Sequence, residues 1–399
     1  MANTLFKLGV PFALLSAVLY QLILKDAFFT TLGLFRTVQP ISDFPAYRCR
    51  RIEDPVLQAC EDMWFSERSR QLFLACSDPL ARKQWLPAVG RLNVSGRALD
   101  DAIIAMNIDI PKRDRKGGYV YRILDAPGEL HLLGLTGVDG EHGINLFLVN
   151  AKPSVDPTTG DIIDNARTGA NQTIERFVLS PPSSSELRPI RTFSHANITT
   201  PNRIATLGLN AFYFTNDHGP HKAGLQHHLS PIRGTGNVGY CTSAKGCRTV
   251  ATDLTFPNGL IRDPKDGYVY VPSTGKGGIH VYKPLEDASL EKVGFIDIPY
   301  PVDNLSQDAD GVIWAAAFPK MRAVLSAFDD PLGPTPPSTI LRVWRKAGGE
   351  GWEWEKVLED ARGEVLPATT TVVHDAKTGR LFLSGVFSPF VTVCEKARI

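Results

Sequence analysis

Short runs of apolar, β-branched and aromatic residues recur along the chain, and most of them follow a turn rich in aspartate and glycine. A turn followed by such a run is typical of a strand in an antiparallel sheet. Four runs follow an Asp/Gly turn directly, and two others have the same composition after different turns. The six predicted strands are centred on residues 72–74, 144–149, 212–214, 268–271, 312–315 and 381–383.

The spacing of these strands indicates the architecture. Their centres lie roughly one propeller blade apart, with insertions in some of the gaps. The pattern therefore predicts an all-β chain that forms a six-bladed β-propeller. A β-sandwich built from regular hairpins is the alternative that the pattern leaves open.

Few segments have helical character. A short helix is predicted near 98–106, and a second signal over 281–290 is broken by Pro284. Segments 153–173 and 217–250 are rich in loop-forming residues and are predicted to be long surface loops. Loops of this kind on one face of a propeller shape the entrance to its central site.

The N-terminal segment differs from the rest of the chain. Residues 8–24 are almost entirely apolar and are bounded by lysines, and no clear cleavage site of small residues follows. We expect residues 1–40 to form a hydrophobic helix, acting as a signal anchor or as a cleaved signal peptide, with an amphipathic continuation. That continuation, 28–35, would lie along a membrane or dock on the propeller, which occupies residues 41–399. A helix buried in the core is the remaining alternative.

Composition narrows the functional classes. The chain has 399 residues, 43% of them hydrophobic, and a net charge of +1, so it can bury a large core and has no excess charge to attract nucleic acid. It contains no phosphate-binding loop, dinucleotide fingerprint or double CxxC pair.

The six cysteines are typical of a protein of the oxidising secretory compartment. One pair flanks a predicted hairpin, one encloses a short loop, and one lies near the two ends of the body. Other pairings stay open, because six cysteines can pair in many ways. The favoured pairs are Cys60–Cys76, Cys241–Cys247 and Cys49–Cys394. Glycosylation sequons begin at Asn93, Asn171 and Asn197.

Oxygen-bearing side chains lie where several predicted strands begin or end. Three of the asparagines recur at intervals of about 45 residues, which is close to one blade length. Each motif alone is typical of a turn or a cap, but repetition in phase with the blades favours a shared site on the axis. Carboxylate and amide oxygens without cysteine are the ligands that calcium prefers. The motifs are Glu61-Asp62, Asn216-Asp217, Asn258 and Asp303-Asn304.

These motifs, in this order and spacing, resemble those of the serum paraoxonase/arylesterase family. The resemblance covers roughly residues 45–396 and includes Pro257-Asn-Gly259, Thr215-Asn-Asp-His218 and the terminal cysteines. It implies a six-bladed propeller with two calcium ions in the central tunnel, closed by a Cys49–Cys394 disulfide. The resemblance places a catalytic calcium on Glu61, Asn216, Asn258, Asp303 and Asn304, and a structural calcium on Asp62, Asp217 and the backbone carbonyl of Leu135. Asn304 also begins a sequon, and we expect it to be a ligand and not a glycosylation site.

The sequence departs from the family at two catalytic histidines. Spacing places Leu133 and Ala151 at those positions, whereas a literal His142-Gly-Ile motif occurs further along the chain. His142 is therefore an alternative catalytic residue, and Asp303 could position or deprotonate water. Other candidate bases, or ligands of a transition metal, are His218, His221, His227 and His228.

The sequence thus predicts a calcium-dependent hydrolase of lactones or aryl esters in the secretory pathway. It would be anchored to a membrane through its N-terminal segment, or secreted if that segment is removed. Two alternatives are a non-catalytic propeller that calcium stabilises and that binds a partner, and an enzyme resembling gluconolactonase or strictosidine synthase.

Overall fold

The computed structural model describes residues 25–112 and 117–397, together with residues 14, 17, 18, 20 and 21. The hydrophobic helix expected over 8–24 falls, apart from those five positions, outside the described residues. Within the described ranges, no helix combines the length and the hydropathy needed to span a bilayer.

The elements are mostly short strands. In chain order the strands are β1 (Tyr47–Ile52), β2 (Asp62–Ser66), β3 (Gln71–Cys76), β4 (Trp85–Leu86), β5 (Arg91–Leu92), β6 (Ala102–Pro111), β7 (Tyr119–Leu124), β8 (Leu132–Gly140), β9 (Gly143–Lys152), β10 (Asn171–Leu179), β11 (Leu187–Phe193), β12 (Pro201–Thr206), β13 (Ala211–Asn216), β14 (Gly236–Thr242), β15 (Gly246–Leu254), β16 (Ile261–Arg262), β17 (Val269–Pro272), β18 (Ile279–Pro284), β19 (Leu290–Ile296), β20 (Val302–Gln307), β21 (Ile313–Ala317), β22 (Ser338–Arg345), β23 (Trp352–Asp360), β24 (Thr371–Asp375), β25 (Arg380–Ser384) and β26 (Val391–Lys396). The α-helices are α1 (Pro79–Gln84), α2 (Asn165–Thr168), α3 (Gly224–Arg233) and α4 (Met321–Ala327), with a π-helix at Asp26–Thr31 and 3-10 turns at Ile41–Asp43, Pro87–Val89 and Val94–Gly96.

The strands form six antiparallel four-stranded sheets in the described chain, which confirms the six-bladed β-propeller. The first strand of each sheet contacts the first strands of its two neighbours, so these six strands surround a central axis. From the axis outward the sheets are β2-β3-β6-β7, β8-β9-β10-β11, β12-β13-β14-β15, β16-β17-β18-β19, β20-β21-β22-β23 and β24-β25-β26-β1.

The six predicted strands are the second strands of the six blades: β3, β9, β13, β17, β21 and β25. A second strand lies between two strands of its own sheet and packs against a neighbouring blade on each face. All residues of β3 and β21 are accordingly buried. Burial on both faces selects a continuous apolar run, and this is why the second strands were visible in the sequence.

One helix prediction is wrong, and the predicted loops hold in part. The segment predicted as a helix near 98–106 enters β6, which is paired on both sides by β3 and β7. The 281–290 segment contains the end of β18, a turn and the start of β19. Segment 153–173 contains α2 and the beginning of β10.

Segment 217–250 is also more ordered than predicted, because it contains α3, β14 and the start of β15. Because β14 is rich in glycine, its sequence resembled that of a loop. Gly239 of β14 pairs with Phe214, and a Cβ atom on Gly239 would overlap the Phe214 ring. Glycine is required there by the packing of an aromatic ring and not by a turn.

The ring closes in the sixth blade, where β1 from the start of the body pairs antiparallel with β26. Cys49 lies opposite Cys394 in this pairing, and the two form a disulfide. The other two predicted pairs, Cys60–Cys76 and Cys241–Cys247, are also formed. All three favoured pairings are therefore confirmed.

Removing the closing disulfide should destabilise the propeller more than removing a local one. Cys49 and Cys394 are 345 residues apart, whereas 6 residues separate Cys241 from Cys247. Because a cross-link restricts the unfolded chain more when its loop is longer, we expect a double alanine variant of the first pair to lose about 3–5 kcal/mol and one of the second about 2 kcal/mol. Denaturant unfolding measures both, and equal losses would contradict this account of closure.

Candidate active site

One end of the central channel opens into a cavity of about 380 Å³. Each blade places on its floor one residue from just before, or at the beginning of, its innermost strand. Blades one, three, four, five and six supply polar side chains, and blade two supplies leucine. The six residues are Glu61, Leu133, Asn202, Asn258, Asp303 and Thr370.

The topology explains why the helices surround the same end. An innermost strand begins at the cavity, the second strand returns to it, and the connection to the third strand must therefore lie beside it. All four α-helices of the described chain occupy such connections. The cavity walls include α3 and α4.

The walls are largely apolar. Leu86, Phe256, Phe318, Val324 and Phe328 are among the lining residues. An apolar cavity with a few convergent polar groups is the usual form of a small-molecule site.

The segment that follows the N-terminal apolar run also reaches the cavity. Thr31 and Leu32 line it, and the Thr31 hydroxyl donates a hydrogen bond to the carbonyl of Gly275 at 2.6 Å. Arg36 donates to the carbonyl of Pro319 at 2.8 Å, and Lys320 donates to the carbonyl of Gly33 at 2.9 Å. These contacts dock the segment on the propeller beside the cavity mouth.

Backbone strain recurs shortly before three of the floor residues in the chain. Ala59, Phe256 and Ala368 have φ angles of 45°, 49° and 43°. Each stands two positions before a floor residue, in blades one, four and six respectively. A left-handed conformation is unfavourable for a residue with a Cβ atom and persists only where the surroundings enforce it, which is common at functional sites.

Three floor residues carry buried oxygen atoms without a hydrogen-bond partner in the described chain: Glu61 Oε2, Asn258 Oδ1 and Asp303 Oδ1. The Asn258 amide nitrogen donates to Thr274 Oγ1 at 3.1 Å, which leaves its oxygen as the free end. Unpartnered buried oxygens are costly, and three of them at one cavity are the arrangement that a cation would stabilise.

The pKa values of the two floor carboxyl groups also favour a bound cation. Burial, opposed by Arg82 and reinforced by Asp62, raises the pKa of Glu61 to about 7. Burial first, and then the neighbouring carboxylates of Glu61 and Asp62, raise the pKa of Asp303 well above its usual value. A cation bound between Glu61 and Asp303 would offset both the burial and the repulsion.

The residues present fit a calcium ion. In the described ranges no three His, Cys, Asp or Glu side chains are close enough to hold a metal by themselves. The donors here are two carboxylates and an amide oxygen, a hard set that calcium accepts and that zinc or copper does not favour.

Two other residues of the predicted catalytic calcium site lie differently. Asn304 is beside the donors, and its amide nitrogen approaches the Glu61 carbonyl at 3.3 Å. Asn216 does not line the cavity, and its Oδ1 accepts hydrogen bonds from the backbone N–H groups of Thr199 and Thr200 at 3.1 and 3.0 Å. In the third blade, Asn202 is on the floor in its place.

The residues predicted for a structural calcium have other partners. Asp62 forms an ion pair with Arg203, with 2.8 Å between Oδ2 and Nε. The Leu135 backbone reaches this carboxylate through its N–H group, which donates to Oδ2 at 2.8 Å. Asp217 Oδ1 lies 2.8 Å from His218 Nδ1. No unpartnered oxygen of either carboxylate remains among the buried atoms.

The two positions at which the spacing places the family's histidines are apolar in this chain. Leu133 lines the cavity, and Ala151 is buried behind it, where its carbonyl accepts a hydrogen bond from Trp85 Nε1 at 2.9 Å. His142 is exposed in the turn between β8 and β9, at the end of blade two opposite the cavity. The structure therefore does not bring His142 to the floor residues.

Three other histidines line the cavity: His218, His227 and His228. His218, directly after β13, and His227 of α3 stack with their ring centroids 3.6 Å apart. Burial first, and then His218, lowers the pKa of His227 to about 4, so this ring is neutral at ordinary pH. His218 Nδ1 contacts Asp217, and its Nε2 has no hydrogen bond within the described residues. The Asp-His dipeptide at a strand end was the available sequence signal for His218, but only the fold shows that His218, His227 and His228 line the cavity and His221 does not.

Together these features define a six-bladed β-propeller with an oxygen-lined centre beneath an apolar cavity. The sequence profile described as Arylesterase matches residues 154–387. The chain belongs to the arylesterase family.

Individual relatives agree with this assignment. Serum paraoxonase/arylesterase 2 of Gallus gallus is 28% identical over 284 residues, which cover 66% of this chain and 75% of the relative. Serum paraoxonase/arylesterase 1 of Homo sapiens is 29% identical over 222 residues, 55% of this chain and 59% of the relative. The solved structure of a candidate gluconolactonase shares the fold, with a TM-score of 0.50 and 14% identity over 90% of this chain and 97% of that one.

Gly259 should be indispensable for the packing of the donor cluster. A Cβ atom there would lie 2.7 Å from the Cα of Asn304. We expect Gly259→Ala to cost about 1–3 kcal/mol through overpacking. Gly118→Ala is the control, because its Cβ would meet Ile52 at an ordinary 3.4 Å. Thermal unfolding of the two variants measures the difference, and equal stability would refute close packing at Gly259.

Proposed function

We propose that this protein is a calcium-dependent hydrolase of lactones or aryl esters. The observation that carries the proposal is the set of three unpartnered buried oxygens, from three blades, on the floor of an apolar cavity. Membership of the arylesterase family and the names of its relatives support the hydrolytic class.

Glu61, Asn258 and Asp303 would hold the ion, with Asn304 orienting Glu61. Calcium bound there would supply a Lewis acid that polarises the substrate carbonyl. The apolar walls would hold the acyl or aryl part of the substrate and exclude bulk water, which strengthens the electrostatic interactions in the cavity.

His218 is the base that the geometry favours. Asp217 fixes the ring through Nδ1 and can stabilise the imidazolium, so Nε2 is the acceptor on the cavity side. Water would lose a proton to Nε2 as its oxygen bonds to the carbonyl carbon. The bond from that carbon to the leaving oxygen then breaks, and the leaving oxygen takes the proton back from His218. This role replaces the one first considered for Asp303 or His142.

We also propose a secretory location, which the three disulfides and the serum relatives support. Membrane association through the N-terminal segment remains part of this proposal. The exposed rings of Phe28, Phe29 and Phe35 lie in the segment docked beside the cavity mouth and suit an apolar surface.

Chelation should abolish the activity. We expect hydrolysis of a panel of lactones and phenyl esters to disappear in a calcium chelator and to return when calcium is added. Glu61→Gln should lower kcat/KM by about 100-fold or more. Removing one charged donor would weaken calcium binding and therefore the polarisation of the substrate carbonyl. Glu175→Gln is the control, since Glu175 is buried but bonds Asn150 and Lys152 away from the cavity.

Activity that survives both chelation and Glu61→Gln would refute the calcium role. Calcium-dependent thermal stabilisation without hydrolysis of any panel member would favour the alternative of a binding propeller.

Replacing His218 should impair turnover selectively. We expect His218→Gln to lower kcat by about 10²- to 10⁴-fold, the usual contribution of a general base, with calcium affinity retained. His374→Gln is a matched control, because His374 makes the same contact with an aspartate, 2.7 Å from Asp308, but lies in a separate pocket that also contains Arg203. Equal kcat values for the two variants would exclude His218 as the base.

A further inference from the structure

Arg203 extends from β12 in the third blade into the centre of the propeller, where only 3% of the residue is exposed. Its Nε lies 2.8 Å from Asp62 Oδ2 of the first blade. The Nε–H is not directed along this contact, so the contact is an ion pair and not a hydrogen bond. The Arg203 Nη groups donate instead to the backbone carbonyls of Leu305, in the fifth blade, and Met63, in the first.

Asp62 is saturated by these neighbours. Its Oδ2 accepts the Leu135 N–H at 2.8 Å in addition to the ion pair. Its Oδ1 accepts the Met63 N–H at 2.8 Å and lies 3.5 Å from the Thr371 hydroxyl. The Asp62 carboxylate therefore has a positive partner and a donor on each oxygen, without a metal.

Asp217, the other carboxylate of the expected structural site, is also engaged. One oxygen contacts His218 Nδ1 at 2.8 Å, and the other lies 3.5 Å from the Asn202 amide nitrogen. The contrast with the floor is direct, because Glu61, Asn258 and Asp303 each keep a buried oxygen without a partner. The oxygens on the floor can therefore accept one ion, whereas those of Asp62 and Asp217 already have partners and do not fit a second ion between them.

We infer that the guanidinium of Arg203 takes the place of the second calcium ion that the family resemblance implies, so that no metal binds between Asp62 and Asp217. A buried carboxylate requires a counter-charge, and here the chain itself provides one. A divalent cation beside Asp62 would face the fixed positive charge of Arg203 at short range. Arginine suits this position because its planar fork can reach one carboxylate and two carbonyls at once.

The first test counts tightly bound calcium in the full chain. The protein is dialysed against saturating calcium, freed of loose ions, and analysed by elemental mass spectrometry beside Glu61→Gln, which removes a donor of the floor site. We expect one ion in the wild-type chain and none in the variant. More than one ion in the wild type, or an ion in the variant that the further substitution Asp303→Asn does not remove, would overturn the inference. No ion in either protein would uphold it and would refute only the calcium role proposed above.

The second test asks whether Arg203 acts as the counter-charge of Asp62. We expect Arg203→Met to lower Tm by roughly 5–10 °C, because it leaves a buried carboxylate unpaired. Adding Asp62→Asn should restore a substantial part of that loss, since a neutral amide needs no counter-charge. Arg82→Met is the matched control: Arg82 is equally buried but donates to the carbonyl of Leu132.

In the Arg82→Met background, Asp62→Asn should bring no recovery. If Asp62→Asn changes Tm equally in both backgrounds, or restores no Tm in the Arg203→Met background, Arg203 is not the counter-charge of Asp62. If Arg203→Met does not fold, the calcium count still decides, because it uses neither substitution.

Discussion

Negative charge buried at the axis governs the arrangement of this propeller. Six innermost strands converge on one axis, and the first, third and fifth blades bring Glu61, Asp62, Asp217 and Asp303 into a space without room for bulk water. Buried carboxylates must be paired, hydrogen-bonded or neutralised. The chain satisfies Asp62 with Arg203 and Asp217 with His218, while Glu61 and Asp303 keep unpartnered oxygens at the cavity.

The propeller topology brings these groups together at one cavity. Because each innermost strand starts at the cavity, the connections after the second strands must lie at the same end, and they carry α3, α4 and the cavity histidines. Closure by β1 and β26 keeps the ring together, so blades remote in sequence hold the donors at fixed separations. The strained residues Ala59, Phe256 and Ala368 are one local cost of that arrangement.

The sequence predicted the floor residues that recur with the blades and missed the other polar residues of the floor. Glu61, Asn258 and Asp303 precede or begin innermost strands, so their spacing carried the signal. Asn216 shared that spacing but ends a second strand, where the N–H groups of Thr199 and Thr200 occupy its oxygen. Asn202 and Thr370 had no comparable signal, because single polar residues beside strands are common.

The sequence was sufficient to predict features that are periodic or local. These are the six second strands, whose burial on both faces demands apolar runs, and the hairpin and loop disulfides. The asparagine and carboxylate motifs that recur once per blade also belong to this group. The tertiary structure alone fixed the side-chain contacts that no periodic or local pattern reveals. Arg203 pairs with Asp62 across two blades, and Leu133 belongs to an apolar cluster with residues of several blades. His218 and His227 lie in one connection, but their stacking depends on how α3 folds back beside the cavity. The physical reason is that burial, charge compensation and hydrogen bonding at the axis depend on residues that come together only when the ring closes.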